Sequence, residues 1–268
     1  MEPVVTQSEP AMNQAPASPV VKPIVVKDLS LGYGRDPILT DVSLEVEPGE
    51  IVVIAGGSGC GKSTLLKGLV GLLAPIKGRV WLEGMEVTGA SEKVLSQVRR
   101  KIGVAFQGGA LFGSMTLAEN VDLPLADTAR LSKAARQVLV RLKLAVVDLD
   151  GYEEYYPSEI SGGMQKRAGL ARAMALDPTI LFFDEPSAGL DPITSAELDQ
   201  TILKINHALG TTMVVVTHEL NSIYTIAHRV IMLDKSDKGI IAVGAPSDLR
   251  DKSTDPRVSN FFHRRPRN

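Results

Sequence analysis

The glycine-rich segment from Gly56 to Ser63, with the sequence GGSGCGKS, constrains the fold of this chain more than any other feature. It follows an apolar run at residues 51–55 and opens a helical pattern at residues 62–73. Glycines in such a loop let backbone N–H groups turn inward around phosphate oxygens, and the helix N-terminus adds a favourable dipole. We therefore expect Lys62 to place its charge at the outer phosphates and the Ser63 hydroxyl to bind Mg²⁺. The alternative is a glycine-rich turn without a ligand. Cys60 is interpreted as a small filler of the loop.

Two carboxylates, Asp184 and Glu185, directly follow the apolar strand pattern of residues 180–183 and form a second motif with it. At the carboxyl end of a parallel strand, an acidic side chain can face a metal ion held by a neighbouring phosphate loop. We expect Asp184 to hold Mg²⁺ through water and Glu185 to polarise the attacking water. Taken alone, such a pair could instead cap the following helix.

Ser161, Gly162 and Gly163 open another helical pattern, at residues 161–176. A serine followed by two glycines at a helix N-terminus is typical of an anion site. Lys62 already accounts for the phosphates within one chain, so a second anion site predicts a nucleotide shared between two copies of the protein. A plain helix N-cap is the alternative.

Composition limits the remaining classes of function. The formal net charge of -2 gives no electrostatic reason to expect nucleic-acid binding. Cys60 is the single cysteine, so a disulfide within one chain is excluded, as suits a reducing compartment. No apolar run approaches the length of a membrane span, and no basic start precedes an apolar stretch. We expect neither a spanning helix nor a secretory signal, so any membrane role would come through a partner.

Strand and helix patterns alternate along the chain, which predicts an α/β fold with a mostly parallel sheet. Residues 1–23 are rich in Pro, Ala, Ser and Gln and are predicted to be a disordered leader. Residues 24–106 and 177–245 are predicted to be the two parts of a nucleotide-binding core. The helical patterns between them, at residues 107–176, predict an inserted helical subdomain. Residues 246–268 form a C-terminal extension.

The C-terminal extension is predicted to start a short helix at Ser247, which Asp255-Pro256 would break. Phe261 and Phe262 follow, and we expect them to dock on a second copy or another partner, or to fold back on their own domain. The arginines after them suit an acidic surface or anionic lipid headgroups; they are Arg264, Arg265 and Arg267.

Together these motifs resemble the ATPases of ABC transporters, over nearly all of residues 24–245. The resemblance implies a P-loop NTPase fold of the ABC cassette type, with a mostly parallel sheet, an antiparallel β subdomain and the helical subdomain. Gln107 resembles the glutamine that senses Mg²⁺ and contacts the permease, and Tyr33 the aromatic residue that stacks on adenine. His218 resembles the switch histidine near the γ-phosphate, and residues 187–191 the loop that links two sites. Without the resemblance, Tyr33 and His218 would be ordinary structural residues.

The resemblance implies a homodimer with ATP and Mg²⁺ at its interface. Catalytic roles would fall to Glu185, His218 and Gln107, and Mg²⁺ binding to Ser63, Gln107 and Asp184. The nucleotide would lie between one subunit's Tyr33, Gly57, Ser58, Gly59, Cys60, Gly61, Lys62, Ser63 and Thr64 and the other subunit's Ser161, Gly162 and Gly163.

Residues 106–112, Met164 and residues 189–194 resemble a narrower group, the Mla-type phospholipid transport ATPases and their Mce-associated relatives. This implies a peripheral protein at the cytoplasmic face of the inner membrane that drives an integral-membrane permease. It also implies a periplasmic Mce-domain lipid-binding protein and a STAS-domain protein as partners, and no nucleic acid. The alternatives are an importer cassette for a small solute, a cassette that transmits force to a cell-envelope enzyme, and a cassette acting in DNA repair or on ribosomes.

Overall fold

Two β-sheets form the framework of the computed structural model, which describes residues 21–34, 36–128 and 131–265. Most of the predicted leader, and Arg267, lie outside these ranges. The elements in chain order are β1 (Ile24–Leu31), β2 (Leu39–Val46), β3 (Ile51–Gly56), α1 (Lys62–Leu69), β4 (Lys77–Leu82), β5 (Met85–Glu86), α2 (Glu92–Arg99), β6 (Ile102–Ala105), α3 (Leu117–Thr128), α4 (Lys133–Val146), a 3-10 turn (Pro157–Glu159), α5 (Gly162–Ala173), β7 (Ile180–Asp184), α6 (Pro192–Leu209), β8 (Thr212–Val216), α7 (Leu220–Ile226), β9 (Arg229–Asp234), β10 (Gly239–Gly244), α8 (Pro246–Lys252) and α9 (Pro256–Phe262).

The central sheet has six strands in the order β10-β9-β3-β8-β7-β6. All neighbouring strands are parallel except β10, which is antiparallel to β9. A second, antiparallel sheet has the order β2-β1-β4-β5. The predicted α/β class, with a mostly parallel sheet and an antiparallel one, is confirmed.

Both faces of the central sheet are covered, which explains why its strands are continuous apolar runs rather than alternating patterns. Along β3, Ile51 and Val53 point into one core and Val52 and Ile54 into the other. The first core is completed by α3 to α7, and the second by α1 and the antiparallel sheet. The elements described between residues 107 and 176 are helical, but the division of the chain into five segments stays a prediction.

The first helix was predicted too long, and one helix at the C-terminus was missed. The first helix ends at Leu69 instead of Leu73, because Gly71 takes a positive φ of 75° and turns the chain away. The short helix predicted from Ser247 is α8, which ends at Lys252 before Asp255-Pro256 as predicted, but the same two residues also begin a further helix, α9. The Asp255 carboxylate accepts a hydrogen bond from the Arg257 N–H at 2.8 Å, and Pro256 occupies the first turn, where its missing N–H costs nothing.

None of the helices in the described ranges combines the length and the apolar character that crossing a bilayer requires.

Candidate active site

The site is built where four neighbouring parallel strands end. The phosphate loop follows β3, His218 follows β8, Glu185 follows β7 and Gln107 follows β6. Because these strands lie side by side in the order β3-β8-β7-β6, the segments that follow them emerge at one edge of the sheet. Their meeting is therefore a consequence of strand order and not of proximity in sequence.

The phosphate loop between β3 and α1 depends on glycine at its two ends. Gly56 has a φ of 143°, and a Cβ there would lie 2.4 Å from the Leu233 carbonyl oxygen. Gly61, with a φ of 100°, caps α1. The Lys62 ammonium donates hydrogen bonds to the carbonyl oxygens of Gly56 (3.0 Å) and Gly57 (3.2 Å), so its charge lies over the loop. The loop can therefore present a concave surface with a cation at its centre.

Cys60 lies inside the loop with its side chain almost fully buried. Burial raises the pKa of its thiol above the ordinary value. A buried, protonated thiol suits the filler interpretation and offers no reactive thiolate.

The two carboxylates at the end of β7 point to different partners. The Ser63 hydroxyl donates to Asp184 Oδ1 at 3.0 Å. The Glu185 carboxylate lies with both oxygens 2.9 Å from Nδ1 of His218. Glu185 has a positive φ of 47°, and its N–H donates to the Val216 carbonyl at 2.8 Å. This bond fixes the Glu185 backbone against the neighbouring strand and leaves the side chain turned towards His218.

A cleft of about 680 Å³ lies over this strand edge. Its walls are the phosphate loop without Cys60, continued to Thr64, together with Ile38, Gln107, Glu185, His218 and Phe261. The volume is that of a small-molecule site. Besides Lys62 and Ser63, the cleft is lined by eight of the predicted nucleotide-binding and catalytic residues: Gly57, Ser58, Gly59, Gly61, Thr64, Gln107, Glu185 and His218.

The pair of Ser63 and Asp184 fits a magnesium ion. Mg²⁺ is held in such sites by one or two protein oxygens together with substrate phosphates and water. No cluster of three or more His, Cys, Asp and Glu side chains occurs within the described ranges. An ion at this place would therefore need the phosphates as ligands besides the hydroxyl and the carboxylate, and Gln107 lies in the same cleft.

Tyr33 is not among the residues that line the cleft. Its ring is 63% exposed and lies beside α1, where the Lys67 ammonium donates a hydrogen bond to the Tyr33 hydroxyl at 3.4 Å. The role of Tyr33 in stacking on adenine stays a prediction.

Ser161, Gly162 and Gly163 also lie outside the cleft. Ser161 caps α5, and its hydroxyl accepts a hydrogen bond from the Met164 N–H at 3.3 Å. Gly162 lines a separate pocket of about 470 Å³, which includes Gly189. A Cβ on Gly163 would lie 2.3 Å from Thr194 Cγ2, so packing against α6 demands glycine there for its own reason. The predicted second anion site therefore lies outside the cleft of its own chain, although the pocket at Gly162 and the cleft share Gln107 as a lining residue.

Sequence reasoning missed three residues of α5 that hold the segment after β6. The Lys166 ammonium donates to the Gln107 carbonyl, and burial lowers its pKa while Glu185 opposes the shift. The Arg172 guanidinium donates to the carbonyls of Ala110 (2.7 Å) and Gly109 (3.1 Å). Gly169 allows the same segment to approach, since a Cβ there would lie 2.9 Å from the Gly109 oxygen. The sequence does contain one signal for these residues, since two basic side chains and a glycine occur on the same helix. That pattern is common on solvated helices, so it does not indicate a contact.

The sequence interpretation of the C-terminal phenylalanines is also corrected in part. Phe262 is 4% exposed and belongs to the core of its own chain, so it cannot dock elsewhere without leaving that core. The alternative of folding back on the same domain is the arrangement that the structure has. Phe261 lines the cleft, which no sequence pattern indicated.

Comparisons with known proteins agree with this architecture. The family model described as ABC transporter matches residues 39–188. The probable ribonucleotide transport ATP-binding protein mkl of Mycobacterium leprae is 42% identical over 242 residues, which are 90% of this chain and 69% of that protein. The intermembrane phospholipid transport system ATP-binding protein MlaF of Escherichia coli K12 is 40% identical over 237 residues, 88% of this chain and 87% of that protein.

Among solved structures, the dimeric post-hydrolysis state of the ATP-binding cassette MJ0796 bound to ADP and Pi matches with a TM-score of 0.76 at 32% identity. The match covers 83% of this chain and 98% of that one. The family model spans more than half of the chain and the relatives extend it to 90%. This chain belongs to the ABC transporter family, as an ATP-binding cassette that hydrolyses ATP with Mg²⁺.

Proposed function

We propose that this ATPase powers phospholipid transport between the inner and outer membranes of a bacterial envelope and so maintains outer-membrane lipid asymmetry. The observation that carries the proposal is the 40% identity to the MlaF protein, which extends over 87% of that protein's length. The segment at residues 106–112, which follows β6 into the site, carries the resemblance to this group together with Met164 and residues 189–194.

The chemistry follows from the side chains that meet at the strand edge. Lys62 and the loop N–H groups bind the phosphates, while Ser63 and Asp184 would hold Mg²⁺, which would neutralise charge on the phosphates. Glu185 orients the attacking water and accepts its proton, since its carboxylate is 12% exposed and is the acidic group nearest to His218. His218 holds that carboxylate in place, and Gln107 completes the wall.

The site is completed by a second copy of the chain. Ser161, Gly162 and Gly163 supply a helix N-terminus to the nucleotide that is bound in the partner's cleft. This arrangement is supported by their position outside the cleft of their own chain. ATP then holds two subunits together, and hydrolysis releases them and moves α3 to α5 against the permease.

The assembled transporter would contain an integral-membrane permease with two copies of this chain at its cytoplasmic face. The Mla-type group adds a periplasmic Mce-domain lipid-binding protein and a STAS-domain protein. The second candidate function is transport of a small polar solute, which is favoured by the 42% identity to the probable ribonucleotide transport ATP-binding protein mkl of Mycobacterium leprae.

Deleting the gene in its own host tests the lipid assignment. We expect phospholipid to appear in the outer leaflet of the outer membrane and sensitivity to detergent with chelator to rise. The wild-type gene should reverse both effects, whereas a Lys62→Ala copy, expressed at the same level, should not. A deletion strain with normal outer-leaflet lipid and normal sensitivity would contradict the lipid assignment and favour solute import.

A further inference from the structure

The short C-terminal helix α9 is fastened to the body of the same chain at both ends. At its start, the Arg257 guanidinium bonds to Asp255 (2.7 Å) and Asp234 (3.3 Å), and also to Asp237. Asp234 ends β9 and Asp237 lies in the turn before β10. These contacts hold α9 against the end of β9 and the turn that follows it. β9 is the neighbour of β3, the strand that leads into the phosphate loop.

Two apolar side chains hold the rest of the helix. Val258 is fully buried and Phe262 nearly so, both in the core that α3 to α7 complete. The Phe262 ring lies 6.0 Å from the ring of Tyr224 on α7, measured between centroids. α7 begins at Leu220, two residues after His218. The contact between Phe262 and Tyr224 therefore packs α9 against the helix that directly follows the histidine.

Phe261 is the residue of α9 that this anchoring aims at the cleft. Its ring meets Phe262 edge to face, with centroids 5.3 Å apart and planes at 86°. Phe261 is only partly buried by the chain itself and lines the same cleft as Lys62, Glu185 and His218. The part of the Phe261 ring that its own chain leaves uncovered borders a cleft lined mostly by the phosphate loop and by polar and charged side chains.

We propose that Phe261 is a further nucleotide-site residue, an apolar wall supplied in the same subunit that packs against bound ATP and keeps water from its phosphates. The inference rests on the proposed assignment of the Lys62 cleft to the nucleotide. A wall of this kind strengthens the attraction between Lys62 and the phosphates, because charges interact more strongly where water is excluded. It also links the C-terminal extension to ATP binding through one side chain.

The first test compares Phe261→Ala with Val258→Ala in the full-length chain assembled with its membrane partner. Removing a half-buried ring that packs on the ligand should raise the KM for ATP roughly three- to tenfold, with a smaller change in kcat. Phe261→Leu, which keeps an apolar wall, should restore most of the affinity. Val258→Ala removes a core contact of the same helix, so it should lower the Tm and leave the KM unchanged. An unchanged KM in Phe261→Ala would overturn the proposal.

The second test places a reporter at the position. Trp81 is the one tryptophan of the chain, so Phe261→Trp in a Trp81→Phe background leaves a single tryptophan in the chain, at the cleft. Titration with Mg-ATP should change its emission with the half-saturation seen for binding, while Trp81→Phe alone shows no change. A reporter that stays silent at saturating ATP would overturn the proposal.

Adding Lys62→Ala separates the two assignments. Loss of the emission change together with loss of ATP binding supports both the cleft and the wall. If the Lys62→Ala chain bound ATP normally, the cleft would be the wrong site and the inference would fall with it. If Lys62→Ala lost binding but Phe261→Ala kept the wild-type KM, the inference alone would fail.

Discussion

Glu185 combines a backbone conformation that few non-glycine residues adopt with a carboxylate that is 12% exposed and lines the cleft. Its positive φ turns the chain directly after β7, and the bond from its N–H to Val216 holds the turn in place. The carboxylate is thereby held at His218 instead of pointing into solvent. Backbone strain of this kind persists where the surrounding structure over-determines it, as it does between two parallel strands.

Glu185→Gln should abolish turnover and keep ATP binding. The amide has the shape of the carboxylate but cannot accept a proton from water, and a positioned base is worth about 10²–10⁴-fold in rate. The measurement is steady-state phosphate release by the intact complex, with ATP binding measured in parallel. A rate near that of the wild type would remove Glu185 from the mechanism.

Burial of the Asp199 carboxylate affects the stability of the fold rather than the chemistry of the site. It is 3% exposed on α6, and burial raises its pKa from 3.8 to about 6. A raised folded-state pKa means that the native state binds the extra proton. The resulting stability is fully present below about pH 3.8 and is lost as the pH rises through about 6.

Asp199→Asn should therefore raise the Tm at about pH 8, where the native carboxylate is charged and buried, and the gain should shrink towards zero as the pH falls through this window. Thermal unfolding of the full chain across the pH range is the measurement. Asp150→Asn, at an exposed position, is the matched control and should show no such pH-dependent gain. An Asp199→Asn chain whose Tm difference did not vary with pH would contradict the assignment of the shift to burial.

At the scale of elements, the sequence predicted those parts whose signal is local. The run at residues 51–55 and the glycine loop after it predict a buried strand, a turn and a helix without tertiary information. The failures have one cause. Whether Gly71 ends a helix, or Pro256 begins one, depends on what the next residues pack against. The contacts of Lys166 and Arg172 with the segment after β6 join positions about 60 residues apart, and no local pattern encodes them.

Gly169→Ala tests whether α5 controls the segment that carries Gln107. The added Cβ would lie 2.9 Å from the Gly109 oxygen, so helix and segment must separate. Overpacking of this kind costs about 1–3 kcal/mol, partly offset by the better helix propensity of alanine, at most about 1 kcal/mol. We expect ATP hydrolysis by the complex to fall several-fold while ATP binding by the phosphate loop is kept.

Gly108→Ala is the control for this change, because it lies in the same segment and a Cβ there meets nothing within 4 Å. Its ATPase rate should stay close to that of the wild type. Equal losses in both variants would mean that the segment is sensitive to any substitution, and the contact with α5 would not be the reason.

At the scale of the whole molecule, the strand order is what turns separate motifs into a site. The residues after β3 and β7 are predicted from their motifs, and those after β6 and β8 from the family resemblance. Their meeting follows once the sheet is parallel. The same geometry leaves Ser161 outside the cleft that Lys62 lines. If Ser161 binds nucleotide as proposed, a single chain presents two half-sites, and two copies can join them into complete sites.

Dimers whose two subunits carry different changes distinguish a shared site from a site within one chain. The two kinds of dimer compared below carry the same number of mutations. Lys62→Ala should lose tight ATP binding, while Ser161→Arg should keep nucleotide on the Lys62 side and block closure of the pair. If ATP is shared, a dimer with Lys62→Ala in one subunit and Ser161→Arg in the other keeps one intact composite site. A dimer that carries both changes in one subunit and none in its partner keeps no intact site.

If each chain instead completed its own site, the outcome would reverse, because only the wild-type partner of the doubly changed subunit would then be intact. ATP-dependent crosslinking and phosphate release, measured on purified dimers of each kind, distinguish the two arrangements. Activity in the doubly changed dimer, together with silence in the other, would refute the shared site.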